Sequence, residues 1–115
     1  MIIDVHTHLS TLDQWGPVIQ EAMGRAHSKF AVDLHVTPER HWQAMAGVDK
    51  AIVFGINSLS LQMHTPNEAI AAYARSHPEK IIGFMSINPH QRDALEQLEH
   101  AYRLGLRGIK MSPVY

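Results

Sequence analysis

Apolar positions along this chain come in two textures, short unbroken runs and stripes at helical spacing, and the two alternate. Ile2, Ile3 and Val5 open the chain as a short buried strand. Residues 50–56 (KAIVFGI), 80–87 (KIIGFMSI) and 106–111 (LRGIKM) repeat that texture at strand length. Between them the spacing turns helical. Thr37-Pro38-Glu39 reads as a helix start, with Thr37 as cap and Pro38 in the first turn; Trp42, Met45 and Ala46 form the stripe and Gly47 the stop. Thr65-Pro66-Asn67-Glu68 has the form of a capping box, opening a helix that carries Ala69, Ile70 and Tyr73 and ends near His77-Pro78. Asn88-Pro89-His90-Gln91 repeats that punctuation, and Ala94, Leu95, Leu98, Ala101 and Tyr102 follow as an amphipathic stripe closed by Gly105.

Strands apolar throughout and separated by single helices predict an α/β fold, a parallel sheet covered by helices. Residues 9–36 interrupt the rhythm. A short helix over 17–27 is weakened by Gly16 and Gly24. Coming directly after the first strand, this insertion either hangs over that strand's end, where Trp15, His27 and His35 could line a pocket, or is a surface excursion with incidental aromatics.

Composition narrows the classes. With 45% hydrophobic and 18% charged residues and a formal charge of −1, the chain is an ordinary globular domain. It lacks the clustered Lys and Arg of a nucleic-acid surface, and no apolar run reaches the ~18 residues of a membrane span. The apolar start meets Asp4 and His6 too soon to be a signal peptide. The absence of cysteine excludes a disulfide scaffold and a thiol nucleophile, and is compatible with the cytoplasm.

The candidate chemistry lies in Asp4-Val5-His6-Thr7-His8. Alternation along a strand puts His6 and His8 on one face, with Asp4 below them. Two imidazoles side by side at a strand's C-terminal end can hold one divalent ion, zinc first and manganese second; the alternative is a pair of surface histidines.

This D-x-H-x-H strand, followed by strand–helix repeats, resembles the amidohydrolase superfamily of metal-dependent (β/α)8 barrels, and within it the amidohydrolase-related proteins that include the aminocarboxymuconate-semialdehyde decarboxylase group. Residues 47–53 (GVDKAIV), 83–89 (GFMSINP) and 105–111 (GLRGIKM) are similar to that group's second, third and fourth strands. The resemblance implies the first four strands of a TIM barrel, an incomplete N-terminal half spanning 1–115 with 9–36 as a loop insertion over the site. It makes His6 and His8 the first two metal ligands, Asp4 a supporting residue, and a metal-activated water the agent of hydrolysis. Lys110 is a candidate for substrate-carboxylate contact, for a metal-bridging lysine as in binuclear relatives, or for a structural lysine. Trp15 and His64 are further candidates for substrate contact. His41 and His100 fall within helices and read as solvated or capping, and His77 and His90 sit beside prolines at helix ends.

The family's barrel takes roughly 250 residues and eight strands. Its later ligands would lie beyond Tyr115, and an open half-barrel exposes edges and an apolar inner face that favour a homo-oligomer. The leading expectation is a hydrolase of a small carboxylated or cyclic molecule. Alternatives are a decarboxylase of the same family, a TatD-like nuclease (disfavoured by Lys110 where that group has a glutamate) and an inactive truncated half-barrel or assembly module. A histidinol-phosphatase-type phosphoesterase is disfavoured because Leu9-Ser10-Thr11-Leu12 lacks that group's serine-aspartate-glycine turn.

Overall fold

Four strands run parallel in one sheet: β1 (Ile3–His8), β2 (Lys50–Phe54), and two later strands, Ile81–Ser86 and Gly108–Lys110, in that spatial order. The computed structural model describes residues 1–30 and 35–112, apart from the side chains of His27 and Phe30. The 113–115 tail falls outside the described residues, as do residues 31–34 of the 9–36 insertion.

Helices α1 (Pro17–Phe30) and α2 (Pro38–Ala44) lie between β1 and β2. A small antiparallel hairpin, β3 (Asn57–Ser58) with β4 (Met63–His64), and helix α3 (Asn67–Ser76) lead to β5 (Ile81–Ser86). Helix α4 (Ala94–Arg103) leads to β6 (Gly108–Lys110). Each major strand is hydrogen-bonded to the next one in sequence, so the winding never reverses direction. Right-handed crossovers then place the helices on one face.

The core forms on that face. Ala51, Val53, Ile81 and Met85 meet Ile70, Ala71 and Tyr73 of α3, Ala101 of α4 and Leu106, with Trp42 and Met45 partly buried against them. Ile70, Ala51, Val53 and Ala101 are fully enclosed. The other face is open: Ile82 is 38% exposed, and Ile52 and Phe84 are half-buried. Among the described residues no helix is long and apolar enough to cross a membrane.

Three local expectations change. β1 is not buried: Ile2, Ile3 and Val5 are 60%, 45% and 65% exposed, because among the described residues β1 is an edge strand paired with β2 alone and the core is centred on β2 and β5. Thr65 does not close a capping box. Its hydroxyl turns to Leu9 O (3.4 Å) and Gln14 Oε1 (3.0 Å), while Asn67 brackets Ser86, accepting from its N–H at 2.8 Å and donating to its carbonyl at 3.2 Å. Helix α4 begins at Ala94, not at Asn88-Pro89, since Asn88 Oδ1 caps the His90 N–H (3.0 Å) in a separate turn. Thr37 caps α2 as expected, accepting from Arg40 N at 3.3 Å. Gly105, at φ +103°, supplies the left-handed turn after α4.

Residues 9–30 of the insertion hold more regular structure than their composition suggests. Residues 12–14 form a 3₁₀ turn and α1 extends over fourteen residues, with Gly24 facing open space where it costs little packing.

Candidate metal centre

β1 delivers its histidines through a local irregularity. Asp4 pairs with Ala51 and Thr7 with Val53, so three steps on β1 match two on β2. Asp4 Oδ1 accepts the His6 N–H (3.1 Å) across this bulge. The carboxylate therefore braces the backbone, and its charge also reaches His41 in α2. That corrects the expectation of Asp4 standing below the imidazoles: the bulge shifts the alternation on which that placement rested.

His6 and His8 do share a face. Their Nε2 atoms stand 3.3 Å apart and their ring centroids 5.2 Å. Two nitrogens at Zn–N distances of about 2.0–2.1 Å in a tetrahedral site are separated by about 3.3–3.4 Å. The donor set is therefore already at the spacing of two ligands on one ion. His8 pairs in register with Phe54, whose ring packs edge-on to both imidazoles, at 4.6 Å from His8 and 5.2 Å from His6. Sequence reasoning passed over Phe54, although its place at the end of β2 was a signal.

Lys110 ends β6 on the same face, its Nζ 4.8 Å from the Phe54 ring centre. Burial, then the Lys110 charge, then His6 push the His8 imidazole down to a pKa of about 4. It is neutral at pH 7, the form in which a ring nitrogen can ligate a metal. His8 Nδ1 is buried without a hydrogen-bond partner among the described residues. No group of three or more His, Cys, Asp or Glu suited to a metal occurs among those residues either.

Trp15 is buried, and its indole N–H donates to Ser10 Oγ. Together with His8, Ile19, Met23 and Met63 it lines an apolar cavity of about 330 Å³ under α1. His64 is exposed and lines a different depression with Asn57 and Gln91, apart from the histidine pair. His35 Nδ1 accepts the Leu12 N–H (3.2 Å) and is not among that cavity's walls, and the His27 side chain lies outside the described structure. His100 is half-exposed and pairs with Glu68 at 2.7 Å. His41 is not solvated: it is 3% exposed, with Nδ1 2.9 Å from Tyr73 Oη. Burial lowers its pKa, and burial with the Glu39 charge pushes the Tyr73 phenol up to about 12.

No protein-family model and no curated protein matches this chain. Among solved structures, 96% of the chain superposes on 37% of a probable 2-pyrone-4,6-dicarboxylic acid hydrolase from Acinetobacter baumannii, crystallised with citric acid bound. The TM-score is 0.57 at 15% identity. The chain thus spans little more than a third of the length of that hydrolase, and at this identity the likeness is one of fold: a parallel α/β sheet wound like part of that enzyme.

Proposed function

We propose that this chain carries the first-strand portion of the metal centre of an amidohydrolase-type hydrolase acting on a small carboxylated or cyclic molecule. In this reading the four strands are half of a (β/α)8 barrel, and the histidines sit at its C-terminal mouth. The observation that carries it is the 3.3 Å Nε2–Nε2 spacing on neighbouring same-face positions of a strand end. The solved structure that shares the fold is a probable hydrolase of a dicarboxylic acid, which is consistent with a hydrolase.

His6 and His8 would hold the ion, zinc before manganese, which when bound supplies Lewis acidity to a water or a substrate carboxyl. Phe54 fixes the ring planes by packing against both imidazoles. Lys110, outside the pair and on the same face, offers a cation to a substrate carboxylate. The remaining ligands come from beyond the described residues, through further polypeptide or a second copy seated on the open sheet face.

Zinc titration by calorimetry, on the chain and on its His6→Ala/His8→Ala variant, tests this reading. Binding that weakens at least a hundredfold in the variant is expected; equal binding in both would overturn the assignment.

A further inference from the structure

We propose that the cavity under α1 is an apolar substrate subsite adjoining the histidine pair. It takes an uncharged ring system or branched alkyl body, attached to the polar group that meets His6 and His8. The placement of that polar group rests on the metal-centre reading; the apolar subsite does not.

The walls are Trp15, Ile19 and Met23 on one side and Leu61 and Met63 of the hairpin on the other, with His8 in the lining. None of the lining residues carries a formal charge at neutral pH. The one hydroxyl, Ser10 Oγ, already accepts the Trp15 indole N–H. A carboxylate placed there would lose its hydration with no charged partner to replace it. Lys110, the cation of this face, stands over Phe54 and outside the cavity. Polarity therefore runs in one direction, from Lys110 through the imidazoles to an apolar recess, which selects an amphiphilic substrate with its carboxylate at one end only.

Size narrows the class. The cavity's 330 Å³ is roughly twice the ~150 Å³ of an apolar cavity that accepts benzene, so a body of about two fused rings fits. Met23 and Met63 give its walls pliant, polarisable surfaces suited to ring edges.

The recess is a built feature, because its two walls are tied together. Gly16 N donates to Gln62 O at 2.7 Å, and a side chain at Gly16 would stand 2.5 Å from Gln62 Cβ. Trp15 bridges to Met63, and the Gln20 amide donates to Trp15 O at 2.7 Å. Hairpin and insertion thus hold each other at a fixed separation.

The test uses Trp15 as reporter, in a Trp42→Phe background that removes the only other tryptophan. Adamantane-1-carboxylate, transparent where tryptophan absorbs, is titrated against citrate. A saturable shift of Trp15 emission with the adamantane probe and none with citrate is expected, and Met23→Glu or Leu61→Glu should weaken the probe at least tenfold. Both positions are half-buried, and circular dichroism checks that the variants keep the fold. No saturable shift, an equal response to citrate, or unaltered affinity in both Glu variants would overturn the subsite. Probe binding without His6/His8-dependent zinc binding would uphold the subsite while the metal-centre reading fails. The converse result would sink the subsite alone.

Discussion

Gly83 stands where β5 passes closest to α3 and to the turn entering β6, and replacing it by alanine measures how tightly that layer is packed. A Cβ at Gly83 would lie 2.6 Å from Leu106 Cδ2, 3.2 Å from Ala74 Cβ and 3.3 Å from Ile70 Cγ2. Leu106 is 1% exposed and Ile70 fully enclosed, and the room beside them is a depression of about 290 Å³ lined by Gly83, Ala74 and Leu106. Two effects oppose each other. Alanine restricts the unfolded chain, which favours the folded state by ~0.4–1 kcal/mol. Overpacking costs ~1–3 kcal/mol, and because the Leu106 methyl can give part of the way into that depression the middle of the range applies. The net expectation is a loss of about 1 kcal/mol, or a fall in Tm of about 4 °C for a chain of this size. Urea and thermal unfolding by circular dichroism on wild type, Gly83→Ala, Leu106→Ala and the double variant would read it. Leu106→Ala alone should cost ~2–5 kcal/mol by emptying its site. In the double variant the new methyl occupies that space, so the combined loss should fall short of the sum by at least about 1 kcal/mol. A neutral or stabilising Gly83→Ala, or strict additivity, would refute the packing argument.

The other predictions concern charge, ring support and association. The lowered His41 pKa means the unfolded chain takes up a proton first as pH falls. Its share of stability is complete above an unfolded value of ~6.5 and is lost progressively below it. His41→Phe should flatten the stability slope between pH 7 and 5 in urea titrations, and an unchanged slope would contradict the burial argument. Phe54→Ala, which frees both imidazoles from their common neighbour, should weaken zinc binding ~10-fold or more; calorimetry showing no change would remove Phe54 from the site. The exposed Val5 and Ile82 should make the 115-residue chain self-associate, and Val5→Lys/Ile82→Lys should lower the mass measured by light scattering towards the monomer.

The elements that announce themselves in the sequence are those whose patterns are long. The runs at 50–56, 80–87 and 106–111 contain the later major strands, and Thr37-Pro38 and Gly105 punctuate helices where they were read to do so. The His6/His8 juxtaposition was legible in two histidines two positions apart, whereas the bulge between Asp4 and Thr7, which moves Asp4 away from them, left no mark in the sequence. What escaped depends on tertiary contacts. The β3–β4 hairpin has strands of two residues, too short for any period, and is held by Thr65 N to Ile56 O at 2.8 Å and by the Gly16–Gln62 contact. The Thr65 hydroxyl is committed to Leu9 and Gln14, 56 and 51 residues away, and so leaves its local motif unformed. His41 looks like any helix-surface histidine until Tyr73, thirty-two residues on, supplies a hydroxyl inside the core.

The histidine strand lies at the edge of its sheet, and that position couples two processes that would otherwise be independent. A strand with one free side is steadied by whatever pairs with that side, and the imidazoles are steadied by whatever they bind. Both would act on the same few residues, so each would raise the affinity for the other by an equal factor. A surface docking beside β1 would therefore act as an effector of a site at His6 and His8, and a ligand bound there would strengthen that docking in return.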